Sequence, residues 1–360
     1  MKKICFIDYN MSIIGGVESV TASLVNALAD IYEVHLISLF SDKKPAYKFD
    51  SRIKYTVLSD TEYPRFRERR KGYKKHLTDY INGNNIDVVF SQGTGVGYIV
   101  SALRFSVKAK LIFNDHGALV NEWNDKDIVL MRLFCSFLHH KTITLTKQNM
   151  NDYRRRFLIP ERRISVIPNW VSDDVAFSDK YDIDSKRIIS AGRFGKEKGF
   201  DMLVKAFAPV AEKHPDWHLD IYGDGEMTNT VKGLIEEYNI GENVHLMGMC
   251  SNLAEKYKEY SMYVLPSYRE GLPLVLLEAK ANRLPIVSFD IMTGPREIVR
   301  DGIDGILVAP YDLEEMGNAI CSLIENGELR NSMSHRSQEN VEKFSKATIL
   351  KQWCDLIDSF

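Results

Sequence analysis

Two glutamates eight positions apart are the residues whose types and spacing best suit chemistry. The segment Pro266–Ala279 begins where an apolar strand ends, carries Glu270 in a turn, and continues into a helix with Pro273 in its first turn. Glu278 lies about five residues along that helix, among apolar residues, where a carboxylate needs hydrogen-bond partners such as a polyhydroxyl ligand supplies. The N–H groups of the helix start can hold a phosphate between the two carboxylates. The alternative is a helix-capping glutamate beside a structural one.

A basic, glycine-bearing loop follows another predicted strand in the same half of the chain. Arg193 and Lys198 lie within Ser190–Phe200, after that strand and before a predicted helix over Asp201–Ala211. Domains of the α/β class bind phosphates at such loops, and a guanidinium with an ammonium would neutralise a diphosphate there. The same residues also fit a solvated basic loop.

Three further positions follow predicted strands, and each has a structural as well as a functional interpretation. Gly15 and Gly16 precede the predicted helix Val17–Ala29, where they let backbone N–H groups approach an anion or make a tight turn. His116 is either a structural histidine or a residue that faces a cleft. Asp224 stands in a glycine turn that is either structural or part of the same cleft.

Short β-branched apolar runs alternate with longer amphipathic stretches along the whole chain. Many of these runs lack a polar–apolar alternation, which is typical of strands covered by helices on both faces. The sequence therefore predicts an α/β protein with doubly wound parallel sheets. The predicted strands are Ile4–Asp8, Val34–Phe40, Tyr55–Leu58, Ile86–Ser91, Lys110–Phe113, Thr142–Leu145, Arg187–Ala191, His218–Tyr222, Val244–Met247, Met262–Pro266, Ile286–Phe289 and Gly305–Val308.

The alternation restarts near residue 187, after an acidic, Ser-rich stretch at Ser172–Lys186 that is typical of a linker. We therefore predict two Rossmann-like domains, residues 1–175 and 176–343. Ligands of such sheets bind beyond the carboxyl ends of the strands, so two facing domains would form a cleft. The final segment, 344–360, spaces its apolar residues as one helical face.

Composition excludes several classes of protein. With 44% hydrophobic and 27% charged residues among 360, the chain is neither disordered nor fibrous. It has no apolar run of the roughly 18 residues that a membrane-spanning helix needs, and its first residues do not resemble a signal peptide, so we expect a cytoplasmic protein. The five cysteines are odd in number and lack metal-ligand spacing, which argues against a disulfide scaffold and against a zinc site.

The net charge of −2 hides an asymmetry between the two halves. Residues 1–170 carry 26 Lys and Arg against 17 Asp and Glu, whereas the remainder carries 21 against 32. This difference predicts two domains with different ligands. Part of the positive excess lies in Arg65–Lys75, which suits an anionic membrane surface or is simply a solvated basic helix.

Taken together, these motifs resemble the retaining nucleotide-sugar glycosyltransferases of family 4, which have the GT-B fold. The resemblance covers nearly the whole chain in the expected order. It rests on Gly15-Gly16-Val17-Glu18, Val166-Ile167-Pro168-Asn169, Gly192-Arg193-Phe194 with Lys198-Gly199, Glu270-Gly271-Leu272-Pro273 with Glu278 in an E-x7-E pattern, Gly294-Pro295-Arg296-Glu297, and Asp301-Gly302-Ile303-Asp304-Gly305. One departure is Thr293–Glu297, where many members have a second glycine before the proline; we expect it to tune donor choice.

The resemblance implies a role for each candidate residue. Arg193 and Lys198 would hold the donor diphosphate, and Glu278 the ribose hydroxyls. Glu270 would contact the transferred sugar, with His116 against that sugar on the acceptor side. Backbone N–H groups near the phosphates and the sugar would come from Gly15, Gly16, Gly271, Leu272, Leu274 and Val275. The nucleobase would lie near Gly248, Met249 and Cys250. The last helix, with Trp353, would cross back onto the first, acceptor-binding domain, leaving the second to bind the donor.

The implied reaction moves a sugar from a nucleotide diphosphate, UDP rather than GDP, to the hydroxyl of a glycan or lipid-linked glycan with retention of configuration. A front-face mechanism is expected, in which the leaving phosphate assists deprotonation of the acceptor. Arg193, Lys198 and the helix dipole would meet the leaving-group charge, so neither a metal nor another cofactor is expected, and no D-x-D carboxylate pair appears.

The expected setting is bacterial surface polysaccharide biosynthesis (capsule, O-antigen or exopolysaccharide) on the inner face of the plasma membrane, without a nucleic-acid partner. Two alternatives remain open. One is a GT-B epimerase or hydrolase acting on a nucleotide sugar, which would form product without an acceptor. The other is a catalytically silent glycan-binding subunit, which would have no need to keep Arg193, Lys198, Glu270 and Glu278 together.

Overall fold

The chain forms two compact units in a computed structural model that describes residues 1–41, 43–60, 62, 66–171, 177–250 and 252–360. One unit comprises Met1–Asn169 with Ile349–Phe360, and the other Trp170–Thr348. The boundary predicted at residues 175 and 176 lies outside the described residues. The second boundary, predicted between 343 and 344, falls instead after Thr348, because the Val171 N–H donates to the Phe344 carbonyl oxygen at 3.1 Å and holds that residue in the second unit.

The first unit is built on a parallel sheet flanked by helices. Its strands are β1 (Lys3–Asp8), β2 (Glu33–Ser38), β3 (Lys54–Val57), β4 (Val88–Gln92), β5 (Lys110–Asp115), β6 (Lys141–Thr144) and β7 (Ile164–Val166). Its helices include α1 (Gly16–Leu28), α2 (Phe66–Gly83), α3 (Gly93–Val100), α4 (Lys126–Leu138) and α5 (Lys147–Phe157). Over the described residues the strand order is β3-β2-β1-β4-β5-β6-β7, with every pairing parallel.

The central strands of this sheet are largely buried on both faces because helices cover both, whereas the edge strand β3 is partly exposed. Strand β4, for example, is buried at every position. The Phe6 and Phe90 rings stack across β1 and β4 with centroids 4.8 Å apart. Tyr73 and Leu77 of α2 are buried in the core cluster that includes alternate residues of β1 and β4. The predicted α/β class with a doubly wound parallel sheet is confirmed.

The second unit repeats this architecture. Its strands are β8 (Arg187–Ala191), β9 (His218–Tyr222), β10 (Val244–Gly248), β11 (Met262–Leu265), β12 (Ile286–Phe289) and β13 (Gly305–Val308), in the order β10-β9-β8-β11-β12-β13 within the described residues. The helices that follow in the chain are α6 (Phe200–Lys213), α7 (Thr228–Glu237), α8 (Leu253–Lys256), α9 (Leu274–Ala281), α10 (Pro295–Ile298), α11 (Leu313–Glu325), α12 (Gly327–Ser337) and α13 (Lys346–Asp358). Helices α6 and α11 contribute Leu203, Phe207 and Ile320 to its core.

Helix α13 completes the first unit although it follows the second in sequence. The Trp353 ring lies 5.4 Å from the Phe90 ring and 6.2 Å from the Phe6 ring, between centroids. Lys2 Nζ donates to the Ile357 carbonyl oxygen at 2.9 Å. The helix predicted over 344–360 therefore forms over a slightly shorter range, and its apolar face packs on the sheet of the first unit.

Each sheet has one point where the strand order reverses. In the first unit this point lies between β1 and β4, and in the second between β8 and β11. Loops that leave neighbouring strands in opposite directions open a crevice at the carboxyl edge, where α/β sheets bind ligands. The described helices include none that is both long and apolar enough to span a bilayer.

Candidate active site

Glu270 is the centre of a polar cluster at the carboxyl end of β11. Its Oε1 accepts hydrogen bonds from Ser267 Oγ at 2.7 Å and from Lys198 Nζ at 2.8 Å. Thr293 Oγ1 donates to the Glu270 backbone carbonyl at 2.6 Å, which fixes the turn that carries the carboxylate. Because two residues hold the carboxylate and a third holds its backbone, Glu270 has a defined position at the sheet edge.

Lys198 reaches Glu270 because the loop after β8 passes very close to the end of β11. Gly199 has a φ of +67° and caps α6, and a Cβ added there would overlap the Pro266 carbonyl oxygen. The Tyr268 N–H also donates to the Glu197 carbonyl at 2.9 Å. A residue without a side chain at position 199 is therefore required for the two loops to meet.

Arg193 is directed away from this cluster. Its guanidinium donates to Glu197 Oε1 at 2.9 Å, four residues along the same loop, and its side chain is exposed. The structure thus brings Lys198 into contact with Glu270 and pairs Arg193 with a neighbouring carboxylate.

Glu278 sits on α9 in a partly buried position, next to a group of tyrosines. The buried Tyr257 donates its hydroxyl to Glu278 Oε2 at 2.8 Å. Burial raises the pKa of Glu278, and the bond from Tyr257 lowers it in part. Tyr263 lies near both predicted carboxylates: burial raises its pKa, and the charges of Glu278 and Glu270 raise it further. An acid here is costly to leave without polar partners.

The start of α9 lies between the two glutamates. The helix begins at Leu274, so Pro273 is its N-cap residue and not, as predicted, part of its first turn. Gly294, with φ of +103°, packs beside Pro273 and Glu270, where an added Cβ would lie 2.7 Å from Pro273 Cδ. The remaining predicted positions of this segment are Gly271, Leu272 and Val275, with Leu272 buried and the other two partly buried.

The predicted nucleobase segment lies at the carboxyl end of β10, in the same unit. Gly248 has a φ of +68°, and its carbonyl accepts the Gly223 N–H at 2.9 Å, which joins the ends of β9 and β10. Met249 is exposed, and Cys250 Sγ lies 3.1 Å from Asn252 Oδ1. The strand register shifts between Leu246 and Gly248, which turns this segment out of the sheet.

In the first unit, Gly15 and Gly16 begin α1 beside a cavity of about 290 Å³. The Gly15 N–H donates to Tyr47 Oη at 3.1 Å, so this amide is already engaged. The cavity lies at the reversal point of the sheet. It is lined by Asp8, Tyr9, Val17, Glu18, Arg69, Gln92, Gly93, Thr94, Gly95, Val96 and Ile99.

Two carboxyl groups line this cavity, and the sequence did not single out either as a site residue. Asp8 is buried at the end of β1, where Thr21 Oγ1 donates to its Oδ2 at 3.2 Å. Burial, with a contribution from the charge of Glu18, raises the pKa of Asp8 to about 7. Burial also raises the pKa of Glu18. Near neutral pH, Asp8 can therefore donate as well as accept a hydrogen bond.

His116 follows β5 in the first unit and is held by Gln92. Its Nε2 lies 2.6 Å from Gln92 Oε1 and 3.1 Å from Asn114 Nδ2. Burial lowers the pKa of His116 to about 4, so the ring is neutral near pH 7. Among the described buried side chains, Gln92 Nε2 and Asn114 Oδ1 have no hydrogen-bond partner. A polar ligand beside His116 would supply such partners.

A buried ion pair fixes the loop that carries His116. Arg132 of α4 contacts Asp115 Oδ1 at 3.2 Å and Glu122 Oε2 at 2.8 Å, and it donates to the Ala118 carbonyl at 3.1 Å. The Tyr153 hydroxyl donates to Asp115 Oδ2 at 2.7 Å. The sequence signal for this support is weak, because its members come from separate helices.

Comparison with known proteins identifies the family. The family model "Glycosyltransferase Family 4" matches residues 14–175, and the family model "Glycosyl transferases group 1" matches residues 174–340. An uncharacterized glycosyltransferase of Haemophilus influenzae is 29% identical over 98% of this chain and 99% of its own. The amylovoran biosynthesis glycosyltransferase AmsD of Erwinia amylovora is 27% identical over 99% of this chain and 100% of its own. A diphospho-undecaprenol 4-alpha-N-acetylgalactosaminyltransferase of Campylobacter jejuni is 26% identical over 98% of each chain.

Solved structures support the same fold. Sucrose-phosphate synthase from Thermosynechococcus elongatus superposes with a TM-score of 0.87 over 100% of this chain and 99% of that one, at 19% identity. Anabaena HepE, solved with UDP and glucose, has a TM-score of 0.80 over 100% of both chains, at 15% identity. The chain has two Rossmann-like parallel sheets, and each half of it matches a glycosyltransferase family model. It therefore belongs to the family 4 glycosyltransferases of GT-B fold.

Proposed function

We propose that this glycosyltransferase moves a sugar from a nucleotide-diphosphate sugar to a glycan or lipid-linked glycan hydroxyl with retention of configuration. The observation that carries the proposal is the contact of Lys198 with Glu270 at the reversal point of the second sheet, together with the partly buried Glu278. A cation and two carboxylates at a sheet's ligand-binding edge suit a ligand that combines phosphates with hydroxyl groups.

The second unit takes the donor in this proposal. Lys198 has three N–H donors, so it can keep its bond to Glu270 while donating to a phosphate oxygen. Glu278 accepts hydrogen bonds from the ribose, and the amides at the start of α9, over 271–275, face the phosphates and sugar. Arg193 would have to leave Glu197 to join Lys198 on the diphosphate. Gly248, Met249 and Cys250 lie against the base.

Glu270 contacts the transferred sugar while its bond to phosphate breaks. The attack is front-face: the leaving phosphate takes the acceptor proton, and Lys198 stabilises the charge that develops on that phosphate. In this mechanism, protein cations and helix amides balance the charge on the leaving phosphate. We therefore propose that no metal is needed.

The first unit takes the acceptor. Its cavity is lined by Asp8, Glu18 and Gln92, whose polar groups can bind hydroxyls. The neutral ring of His116 is hydrogen-bonded to Gln92. His116 therefore acts through hydrogen bonds near neutral pH and not as a cation. The Gly15 N–H would have to leave Tyr47 before it could join the Gly16 N–H in binding a phosphate at the start of α1.

UDP is the proposed nucleotide, and surface polysaccharide biosynthesis the proposed setting. HepE, with the same fold, was solved with UDP, and AmsD is a named amylovoran biosynthesis enzyme. The Campylobacter relative, whose printed name gives a diphospho-undecaprenol substrate, supports a lipid-linked acceptor. Such an acceptor would place the protein at the inner face of the plasma membrane. Within the predicted basic run Arg65–Lys75, Arg65 lies outside the described residues, and Lys71, Lys74 and Lys75 are exposed on α2.

A donor screen tests the proposal. Thermal unfolding of the full chain would be followed with UDP-, GDP- and other nucleotide-linked sugars, with and without a chelator. A donor at about 100 times its dissociation constant adds about 2.7 kcal/mol of stability, which is readily seen as a shift in Tm. We expect the largest shift from a UDP-sugar, unchanged by the chelator. The product anomer, read by NMR, then tests retention.

Acceptor dependence separates the proposal from its alternatives. The donor would be incubated with the enzyme with and without extracts of lipid-linked oligosaccharide. Sugar transfer only with the extract supports a transferase. Release of free sugar or conversion of the donor without it would show a hydrolase or epimerase. Donor binding that never leads to turnover with any acceptor would support a silent subunit.

A further inference from the structure

Helix α4 of the first unit presents three large apolar side chains to solvent, while an arginine and a serine lie on its interior side. Leu130, Phe134 and Phe137 are 50%, 38% and 52% exposed. Arg132 and Ser136 on the opposite face are fully buried. Spacings of four and three residues place the three exposed side chains along one stripe of the helix. The helix also packs Val129, Leu133 and Cys135 on the core of the unit, so it has apolar residues on both faces.

The buried polar residues have a clear structural reason, whereas Leu130 and Phe137 of the exposed face remain half in water. Arg132 is held by its bonds to Asp115, Glu122 and Ala118, and it supports the loop that carries His116. Folding gains little from side chains that remain half in water. A cluster of large apolar side chains on the surface marks an interaction site more often than a lone one does.

Arginines lie beside Phe134 and at the Phe137 end of the apolar stripe. The Arg70 guanidinium of α2 lies 6.0 Å from the Phe134 ring centroid and 4.7 Å from that of Tyr98. At the other end, Arg163 donates to the Phe137 carbonyl at 3.0 Å, and the neighbouring Arg162 is exposed. Arg70 belongs to the same helix as the exposed lysines of the basic run.

Phe105 extends this surface beyond the end of α4. It is 91% exposed, and the Arg104 guanidinium lies 5.9 Å from its ring. Arg104 contacts His140 Nε2 at 2.6 Å, two residues after α4 ends. The carboxylates of these segments lie at their margins: Asp127 in the first turn of α4, and Glu161, which pairs with Arg154.

We propose that Leu130, Phe134, Phe137 and Phe105, with the bordering arginines, form the surface by which this protein binds an anionic lipid bilayer. Apolar side chains enter the boundary between headgroups and acyl chains, and the guanidinium groups pair with lipid phosphates. Charge complementarity selects this occupant, because apolar side chains with Arg70, Arg104 and the exposed Arg162 nearby suit a surface that is negative outside and apolar beneath. The inference rests on the membrane association in the proposed function and gives it a specific surface.

Vesicle binding by the full chain tests this proposal. Co-sedimentation would be measured with vesicles of phosphatidylcholine alone and mixed with phosphatidylglycerol, at low and high salt. The parent should bind the anionic vesicles, less strongly at high salt. The double variant Leu130→Ser/Phe137→Ser should lose about tenfold or more in partitioning, because two large apolar side chains no longer leave water. The control Ile31→Ser/Tyr238→Ser, at two exposed sites away from the surface, should bind as the parent does.

Insertion and charge are read out separately. Phe137→Trp should show tryptophan quenching by brominated lipids in excess of the parent protein. Arg162→Glu should weaken binding to anionic vesicles, whereas Lys232→Glu on the exposed side of α7 should not. If the Leu130→Ser/Phe137→Ser variant binds like the parent, or the new tryptophan is not quenched, the surface is wrongly assigned.

Two further measurements separate this proposal from its rivals. Sedimentation velocity of parent and double variant tests whether the stripe joins two copies of the chain; a dimer that the variant abolishes would overturn the lipid proposal. Sugar transfer to a water-soluble acceptor should be the same in parent and double variant. Failure of that transfer in the parent would count against the proposed reaction. The lipid-binding surface would still be tested by the vesicle measurements alone.

Discussion

Lys198 Nζ and Glu270 Oε1 lie 2.8 Å apart, although 72 residues separate them in the chain. The contact joins the loop after β8 to the loop after β11, the two strands between which the order of the second sheet reverses. In the proposed function, a cation for phosphate and a carboxylate for sugar thereby come from the two sides of one crevice. Perturbing either loop should therefore affect both parts of donor recognition.

Glu270→Gln should lower turnover about 100-fold or more with a smaller effect on KM. The substitution removes a charge that acts on the sugar as its bond breaks, and such contacts stabilise the transition state more than the ground state. Steady-state kinetics with the identified donor would show the effect. Ser267→Ala, which removes only a neutral partner of the same carboxylate, is the matched control and should lower turnover far less. Full turnover in Glu270→Gln would contradict the catalytic assignment.

Glu278→Gln should weaken nucleotide binding by roughly 1.5–3 kcal/mol with little change in turnover at saturating donor. A ribose contact is made in the ground state and the transition state alike, so its loss raises KM. Calorimetric titration with the free nucleotide measures the change directly. Nucleotide affinity equal to that of the parent would show that Glu278 does not hold the ribose.

Tyr257→Phe should make nucleotide affinity more sensitive to acid. The bond from Tyr257 lowers the pKa of Glu278, which burial raises, so without it the carboxylate takes up a proton at higher pH. The protonated acid accepts fewer hydrogen bonds from a ribose. Titrations at about pH 8 and about pH 5.5 should show a larger loss at the lower pH. Tyr238→Phe, at an exposed site, is the control; an equal loss at both pH values would count against the proposed linkage.

Asp8→Asn should remove a pH-dependent penalty on stability. The pKa of Asp8 is raised from 3.8 to about 7, so between these values the folded protein binds more protons than the unfolded chain. The free energy of unfolding contributed by this group therefore falls as pH rises from about 4 to about 7. Asparagine has no such titration. Relative to the parent, the variant should gain up to about 2–4 kcal/mol between about pH 5 and about pH 8, measured by urea unfolding. A constant difference would contradict the raised pKa.

Gly199→Ala should destabilise the protein by more than about 2 kcal/mol and lower donor affinity. Alanine is strained at a φ of +67°, and its Cβ would overlap the Pro266 carbonyl, so the loop must move and carry Lys198 away from Glu270. Gly302→Ala separates the two effects, because Gly302 has a φ of +71° with open space around it. That control should cost only about 1 kcal/mol. Equal costs at both sites would show that the close approach is unimportant.

The strands were largely predictable, and the exception has a physical reason. All twelve predicted runs overlap observed strands, because a buried parallel strand has a nearly continuous apolar sequence that is easy to recognise. Strand β7 was missed: it has only three residues, Ile164–Val166, too few to show a period. The limits of the second unit could not be placed to the residue from the sequence. They depend on contacts such as the hydrogen bond between Val171 and Phe344, which are far apart in the chain.

The candidate site was predictable only where it follows strand ends. Lys198, Glu270 and Glu278 stand in loops and helix starts that the local pattern marks. Tyr257 was missed because a partner from another element leaves no local signal. The apolar residues of α4 would be read from periodicity as its buried face, yet Arg132 occupies the interior instead, since Asp115 and Glu122 pair with it there.

The return of α13 to the first unit sets an order for synthesis on the ribosome. Trp353 can reach Phe6 and Phe90 only after the whole of the second unit has been translated. Until then the sheet that was made first presents an uncovered aromatic surface to the cell. The second unit, Trp170–Thr348, is contiguous and can complete its fold earlier, so the part of the protein that is translated first is the last to be finished.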